Sequence, residues 1–328
     1  MQALLPVFSF LSILLLVLII PGQLKSNTIP AMSIICWLFV CNIIHTANSI
    51  AWADNTNTHA PIWCDISTKI LLGAMVAVPG SLLCLSRQLE LVSSRYEHTK
   101  MPSPRYKAIV EFIMCIAIPF LYMSLHTIVQ FRRFSVLENL GCQAAVHDSI
   151  PGLVLVWLPP FVISAVAFLY NCSAVVNITK SHLNSVAYFP SAPEMQLSLF
   201  IRRLVFLTVA VLYTGVAYTV ILSWSSTNLL PWTSIAQVHA GFGQVEIIQS
   251  RTQLAVQSNL IWWSIPTWSL LLFALSVFGE ETKKGYRKIW AWILGRSCQF
   301  TLPTRCVLPS RPFPALAHKS HAGLRVRG

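Results

Sequence analysis

Two ionisable side chains interrupt an otherwise apolar stretch of the sequence. Asp65 and Lys69 are four residues apart, so on a helix they lie one turn apart with the acid first, which is the favourable order for an ion pair. A charge inside lipid is costly and often marks a functional site. Two interpretations stay open: an internal ion pair that lets a helix begin early, or a polar anchor at the floor of an outward-opening ligand cavity.

Uncharged polar side chains recur in two other apolar stretches. Asn42, His45 and Asn48 follow each other at intervals of three residues, which places them on one drifting face of a helix. His126 lies alone in a later stretch. Hydrogen bonding between helices is the simpler role for such residues and is favoured for all four. We nevertheless retain His126 as a candidate ligand-binding residue.

Motifs for catalysis are missing from the sequence. It contains no H-E-x-x-H zinc motif, no G-x-S-x-G nucleophile elbow and no P-loop. The last apolar run has no lysine to which a retinal could be attached. We therefore expect a protein that is not an enzyme and that needs no metal or cofactor.

Seven long apolar runs must carry these residues. Charged residues make up 10% of the chain, against about 25% in an ordinary soluble domain. A helix needs roughly 20 apolar residues to cross a bilayer, and helices or closed barrels alone pair every backbone group there. Because the runs do not alternate, the sequence predicts an all-α membrane protein, a seven-transmembrane helix bundle. The runs are Ala3–Ile20, Pro30–Trp52, Ile70–Leu85 (extended back to Trp63), Phe112–Val129, Pro151–Ile178, Leu204–Trp224 and Leu260–Phe278.

The basic residues give the bundle an orientation. Of the 23 lysines and arginines, 19 fall in the connections on one side of the seven runs and three on the other. Basic residues are retained on the cytoplasmic side during membrane insertion. The pattern therefore predicts an N-terminus outside and a C-terminus inside.

Two other interpretations of this composition have less support. A net charge of +12 is also found in nucleic-acid-binding proteins, but topological anchors that meet anionic lipid head groups explain it better, so no nucleic-acid partner is expected. The first run could be a cleaved signal peptide. It lacks a basic start and a small-residue cleavage site, and we interpret it as the first helix.

Three regions follow from these patterns. Residues 1–278 form the predicted seven-helix bundle. Residues 279–295 combine basic residues with Ile289, Trp290 and Ile293, which predicts an amphipathic juxtamembrane segment on the inner leaflet. Residues 296–328 are rich in proline and scattered basic residues and are predicted to be a disordered cytoplasmic tail.

Two of the nine cysteines fall at the predicted outer face. Cys64 opens the third span and Cys142 lies in the second outer connection. The oxidising exterior favours a disulfide between them, with two unpaired thiols as the alternative. Such a bridge would fix the outer connection to the third helix.

One string of residues resembles a known family. Trp63-Cys64-Asp65-Ile66-Ser67-Thr68-Lys69 is similar to the third-helix signature of fungal mating pheromone receptors of the yeast a-factor-receptor type, which are class D G-protein-coupled receptors. Other segments resemble basidiomycete-like members of the same family, and the similarity covers roughly residues 3–290. The supporting strings are Leu4-Pro6-Val7-Phe8, Leu125 to Gln130, Arg133-Phe134, Glu138 to Cys142, Val156 to Pro160, Val238-His239, Phe278 to Glu281 and Tyr286-Arg287.

The resemblance implies a plasma-membrane, multi-pass receptor for a farnesylated peptide pheromone that signals to a heterotrimeric G protein. A lipopeptide needs an apolar route between helices and polar contacts at the outer mouth. The candidate ligand-binding residues are Asp65, Lys69, His126, Glu138 and His239.

Three basic residues on the predicted inner side are candidates for contact with the G protein. Arg87 lies at the inner end of the third span, where it could also be a snorkelling anchor. Arg202 and Arg203 are what remains of the family's basic pattern in the third inner connection. Inner basic surfaces suit an acidic partner.

Two alternative functions stay open. A transporter or channel would be expected to carry a line of ionisable groups through the bundle. The interiors of spans one, two, five, six and seven contain no Asp, Glu, Lys or Arg, which argues against that class. A divergent orphan receptor with the same bundle and another ligand is the second alternative, which the sequence alone does not exclude.

Overall fold

The computed structural model describes most of the predicted bundle. It describes residues 4–26, 28–58, 60–94, 103–184, 197–227, 229–248 and 253–277. The predicted juxtamembrane segment 279–295 and the tail 296–328 lie outside the described residues.

Long helices dominate the described residues. Their apolar side chains face lipid or each other, and each helix pairs its own backbone groups, as lipid requires. The first six, α1 to α6, are long and apolar enough to cross a membrane. The helices are α1 (Leu4–Ser26), α2 (Ile29–Ala51), α3 (Pro61–Ser93), α4 (Pro104–Val129), α5 (Ile150–Asn184), α6 (Leu197–Ser225), the short α7 (Ile235–Val238) and α8 (Gln253–Val277).

The third helix begins before the two charged residues, as its extended interpretation predicts. Pro61 occupies its first position, where the missing N–H costs nothing. Helix α8 has 25 residues, includes no Asp, Glu, Lys or Arg, and packs against α1, α2 and α6. A seventh span and the orientation of the termini remain predictions.

Helix α3 lies at the centre of the bundle. In its most apolar window 67% of the residues are buried, against 28% for α1 and 22% for α4. It contacts α2, α4, α5 and α6. Two glycines make these contacts close: a Cβ on Gly80 would lie 2.8 Å from the Met114 carbonyl oxygen of α4, and one on Gly73 would lie 2.9 Å from Met123 Sδ.

Prolines inside the helices leave backbone carbonyls without their usual donor. A proline removes the N–H that would bond to the carbonyl four residues earlier. For Pro79, Pro119 and Pro160, that carbonyl receives a side-chain donor from another helix. The three bonds are Tyr218 Oη to Met75 O (2.8 Å), Trp37 Nε1 to Cys115 O (3.3 Å) and Tyr122 Oη to Val156 O (2.7 Å).

Two of these prolines follow a wider helical turn. The segments Ile113–Ala117 in α4 and Leu153–Trp157 in α5 are π-helical, and Pro119 and Pro160 follow within the next three residues. Such turns are common where the regular hydrogen-bond ladder is interrupted. The bends expected from the prolines therefore coincide with bonds that join α2 to α4 and α4 to α5.

A small sheet covers one end of the bundle, which we call the sheet end. Strand β1 (Phe134–Leu137) pairs antiparallel with β2 (Gly141–Gln143) and parallel with β3 (Val245–Ile248), so the order is β2-β1-β3. The all-α expectation missed it because the strands have three or four residues and β3 lies about 110 positions from β1. In the turn, Asn139 and Gly141 have positive φ angles of 66° and 71°.

The predicted disulfide fixes the sheet to α3. Cys64 in the first turn of α3 is bonded to Cys142 in β2, and their Cα atoms are 5.3 Å apart. Both side chains are buried in a cluster with Trp52, Phe134 and Val136. The bridge therefore holds the connection between α4 and α5 against the start of the central helix.

We predict that Tyr122→Phe destabilises the bundle. The substitution leaves the Val156 carbonyl without a donor in a buried, apolar place, which costs about 1 to 2 kcal/mol. The thermal midpoint of the purified protein in detergent should fall by a few degrees. Tyr170→Phe is the matched control, since the described part of the chain offers its hydroxyl no hydrogen-bond partner. An equal effect of the two variants would contradict this account.

We also predict that Cys64→Ser, Cys142→Ser and the double variant behave alike. Each removes the same bridge, and a native disulfide typically contributes about 2 to 4 kcal/mol. The three thermal midpoints should fall by the same amount and become insensitive to reductant. Cys172→Ser, at an exposed free thiol, should change nothing. A normal midpoint for either single variant would be inconsistent with the bridge.

Candidate ligand-binding site

Asp65 is paired with Arg133 and not with Lys69. The guanidinium of Arg133 donates from Nε to Oδ1 at 3.0 Å and from Nη2 to Oδ2 at 2.6 Å. Of the two interpretations that the sequence left open, the internal Asp65–Lys69 ion pair is therefore not the pairing that the structure has. A guanidinium presents two parallel donors that match a carboxylate better than a single ammonium does. The carboxylate also raises the pKa of Arg133, by hydrogen bonding and by its charge.

Lys69 takes part in a different network, with residues of α4. Its Nζ lies 2.9 Å from Nδ1 of His126 and donates to Oε1 of Gln130 at 2.8 Å. Gln130 in turn donates from Nε2 to the carbonyl oxygen of Arg133 at 2.7 Å. The Lys69 network thus continues to the residue that holds Asp65, and both networks join α3 to the chain that leads into β1.

Glu138 and His239 lie apart from these networks. Glu138 is half-buried in the turn between β1 and β2. His239 follows α7, where its Nε2 lies 2.8 Å from the carbonyl oxygen of Thr127 in α4 and its ring contacts Phe242. His239 therefore fastens a connection to α4. The five candidate ligand-binding residues do not converge on one place.

The bundle instead contains a cavity of about 380 Å³ below the sheet. It extends between α2, α3, α5, α6 and α8, and the residues of the described chain that line it include none of the five candidates. Its walls are mainly apolar or aromatic. Leu71, Leu72, Met75, Val78, Trp157, Ala217, Tyr218, Ile221, Ile261, Trp262, Ile265 and Trp268 are among them.

Polar side chains concentrate where the cavity meets the sheet and its connections. Ser135, Gln143, His147, Asp148 and Glu246 line this part. Glu246 Oε2 accepts a hydrogen bond from Ser135 Oγ at 2.7 Å. Burial raises the pKa of Asp148, and the nearby charge of Glu246 raises it further, against an opposite effect of His147. This cavity therefore has a polar, acidic end and an apolar interior.

Sequence reasoning missed most of this lining. Its residues come from five helices, the sheet and several connections, and none of them had been predicted to bind the ligand. His45 had been singled out for a packing role, and Trp157 belonged to one of the strings that resemble the family. Ordinary Leu, Met and aromatic residues in a span look the same whether they face lipid, another helix or a cavity. Glu246 belongs to β3, and its place at the cavity could have been predicted only by knowing that β3 pairs with β1. Asp148 lies in the connection after β2, and no sequence pattern links it to the cavity.

The candidate coupling residues lie at the other end of α3 and at the start of α6. Arg87 is half-buried, with its guanidinium carbon 5.9 Å from the ring centre of Tyr106 in α4. One residue later, Gln88 Nε2 donates to Glu111 at 2.7 Å, and Glu111 pairs with Lys107 at 3.7 Å. Arg202 and Arg203 belong to α6, but their side chains lie outside the described part of the structure.

Curated relatives of this chain are fungal pheromone receptors. It is 31% identical over 288 residues to the pheromone B beta 1 receptor of Schizophyllum commune, covering 86% of this chain and 53% of that protein. It is 26% identical over 293 residues to pheromone receptor 1 of Mycosarcoma maydis, covering 86% and 82%. It is 23% identical over 319 residues to the pheromone M-factor receptor of Schizosaccharomyces pombe, covering 90% and 83%.

The chain spans about half the length of the Schizophyllum relatives and most of the length of the other two. Several helices that can cross a membrane make it a multi-pass membrane protein. The sequence model of the family described as STE3, pheromone A receptor, matches residues 4–296. That match covers the whole described bundle, and the chain therefore belongs to the STE3 pheromone receptor family.

Proposed function

We propose that this protein is a plasma-membrane receptor that binds a farnesylated peptide pheromone and passes the signal to a heterotrimeric G protein. The observation that carries the proposal is the cavity, which combines an apolar interior with a polar end under the sheet. A lipid group gains free energy by leaving water for an apolar space. The peptide part needs hydrogen-bonding partners, which the polar end offers.

The orientation predicted from the basic residues fits this use. With the N-terminus outside, the sheet end lies on the outer side, where an extracellular ligand arrives and where a disulfide is stable. With seven spans, the C-terminal end of α3, which contains Arg87, and the start of α6 lie on the inner side. Arg87, Arg202 and Arg203 are then the proposed contacts for the G protein.

We propose two different roles for the five candidate ligand-binding residues. Asp65, Lys69 and His126 belong to networks that hold the chain between α4 and β1 against α3. We assign them to positioning the polar end of the cavity. Glu138 and His239 are kept as proposed contacts for parts of the peptide outside the cavity, since both lie at the sheet end and are half-buried.

The test of the proposal is a reporter assay in cells that express the receptor and a pheromone-pathway G protein. A panel of farnesylated, carboxymethylated peptides is compared with the same peptides without the farnesyl group, with surface expression measured in parallel. We expect responses that need the lipid. Equal responses to both sets would favour an orphan receptor for another peptide class, and silence at normal surface expression would exclude the proposed ligand class.

Filling the cavity should weaken the lipid-dependent response. Ala217→Phe places a ring into the apolar interior from α6, and a farnesyl group would then lose much of its space. We expect the concentration for half-maximal response to rise at least about tenfold, since a displaced lipid segment forfeits more than 1.4 kcal/mol.

The matched control is Val216→Phe. Val216 is the neighbouring residue of α6 and is 63% exposed on the outside of the bundle, so its substitution adds the same ring outside the cavity. Equal loss in both variants would show that the effect is on folding and not on the cavity.

A further inference from the structure

His45 of α2 and Trp262 of α8 form a stacked pair in the wall of the cavity. Their ring centres are 4.8 Å apart and their planes differ by 12°. Both residues line the cavity, and only 3% of His45 and 1% of Trp262 is exposed. The pair therefore presents two heteroaromatic rings to an enclosed space that is otherwise largely apolar.

Each ring carries a buried nitrogen without a hydrogen-bond partner. Nδ1 of His45 and Nε1 of Trp262 are both unpaired. Two indoles near the same end of the bundle are satisfied: Trp63 Nε1 donates to Asn48 at 2.8 Å and Trp52 Nε1 donates to the carbonyl of Asn57 at 2.9 Å. The Trp232 Nε1 atom is also unpaired, but Trp232 does not line the cavity. A buried polar group without a partner is unfavourable and calls for a specific explanation.

A ligand atom supplies that explanation. An indole N–H can only donate, so its partner must be a hydrogen-bond acceptor, and an imidazole Nδ1 can donate or accept according to tautomer. Leu260, Ile261 and Ile265 of the same helix as Trp262 also line the cavity. A group that fits here has an acceptor oxygen next to apolar substituents, which describes a carbonyl close to a lipid chain.

We propose that the His45–Trp262 pair is a hydrogen-bonding subsite that binds a carbonyl oxygen at the lipidated end of the ligand. The assignment rests on the proposed function for its ligand class. An ester offers only acceptor atoms, so Nδ1 of His45 then carries a proton and donates to the carbonyl oxygen together with Trp262 Nε1. An amide also has an N–H group, which can donate to an unprotonated Nδ1 of His45. Both cases share the bond from Trp262 Nε1.

The test uses one farnesylated peptide that activates the unaltered receptor, prepared with three ends: methyl ester, methyl amide and methyl ether, the last without the carbonyl. Trp262→Phe keeps the ring and removes the N–H. We expect it to weaken the response to the ester or the amide roughly five- to tenfold, the effect of one hydrogen bond. The response to the ether, already weaker on the unaltered receptor, should not change.

Trp263→Phe is the matched control. Trp263 lies next to Trp262, with ring centres 5.1 Å apart, and does not line the cavity, so all three peptides should keep their potency. His45→Phe preserves the stacking and tests the second nitrogen. It should lower the potency of the ester peptide more than that of the ether peptide. Equal loss for carbonyl and ether peptides in Trp262→Phe would overturn the assignment.

A measurement without ligand guards against a folding defect. Trp262→Phe removes ring area that is almost fully buried, so the thermal midpoint of the purified receptor should fall modestly, as after any large-to-small substitution in a core. An unchanged response to the ether peptide shows that the variant still folds and binds, whereas an equal loss for all three peptides would overturn the assignment. If the unaltered receptor responds to no farnesylated peptide, both the proposed ligand class and the subsite are wrong. If the unaltered receptor responds and Trp262→Phe leaves the potency of the ester and amide peptides unchanged, only the subsite is wrong.

Discussion

The fold depends on the pairing of backbone carbonyls that prolines leave without a donor inside lipid. Water cannot satisfy such a group in the hydrocarbon core, so a bent helix needs a partner at the bend. Here the partners are two tyrosines and a tryptophan of neighbouring helices. At these three positions, the residues that interrupt a helix therefore also specify which helix stands beside it.

One of the three bonds also belongs to the cavity. Tyr218 lines the cavity, and its hydroxyl donates to the Met75 carbonyl one turn before Pro79 in the central helix. Met75 and Pro79 line the same space. A ligand there would contact the donor, the acceptor residue and the proline of a single bend. An agonist acts by favouring one arrangement of the bundle over another. Under the proposed function, a ligand in the cavity could do so by changing the Tyr218–Met75 hydrogen bond next to Pro79 in α3.

The sequence anticipated the features that depend on solvent and left open those that depend on pairing partners. Apolar length predicted long helices, and the early start of α3 follows from treating Asp65 and Lys69 as part of the span. The Cys64–Cys142 bridge followed from topology. Spacing suggested Lys69 as the partner of Asp65, but helical spacing reports only local neighbours. Arg133 lies 68 residues from Asp65 in the sequence, and its guanidinium matches the carboxylate better than the ammonium of Lys69 does.

The same limit explains why the candidate site moved. Charged and histidine residues attract attention in an apolar sequence because burying them is costly, yet that cost is met most often by other residues of the protein. Lys69 and Asp65 have such partners. His126 has one at Nδ1 but not at its buried Nε2, and none of the three residues lines the cavity. Sequence patterns assigned His45 a packing role and Trp262 no contact with a ligand, but both line the cavity and keep unpaired nitrogens. A lipidated peptide needs few polar contacts within an apolar space, and unsatisfied atoms at its wall are better evidence for those contacts than charge alone.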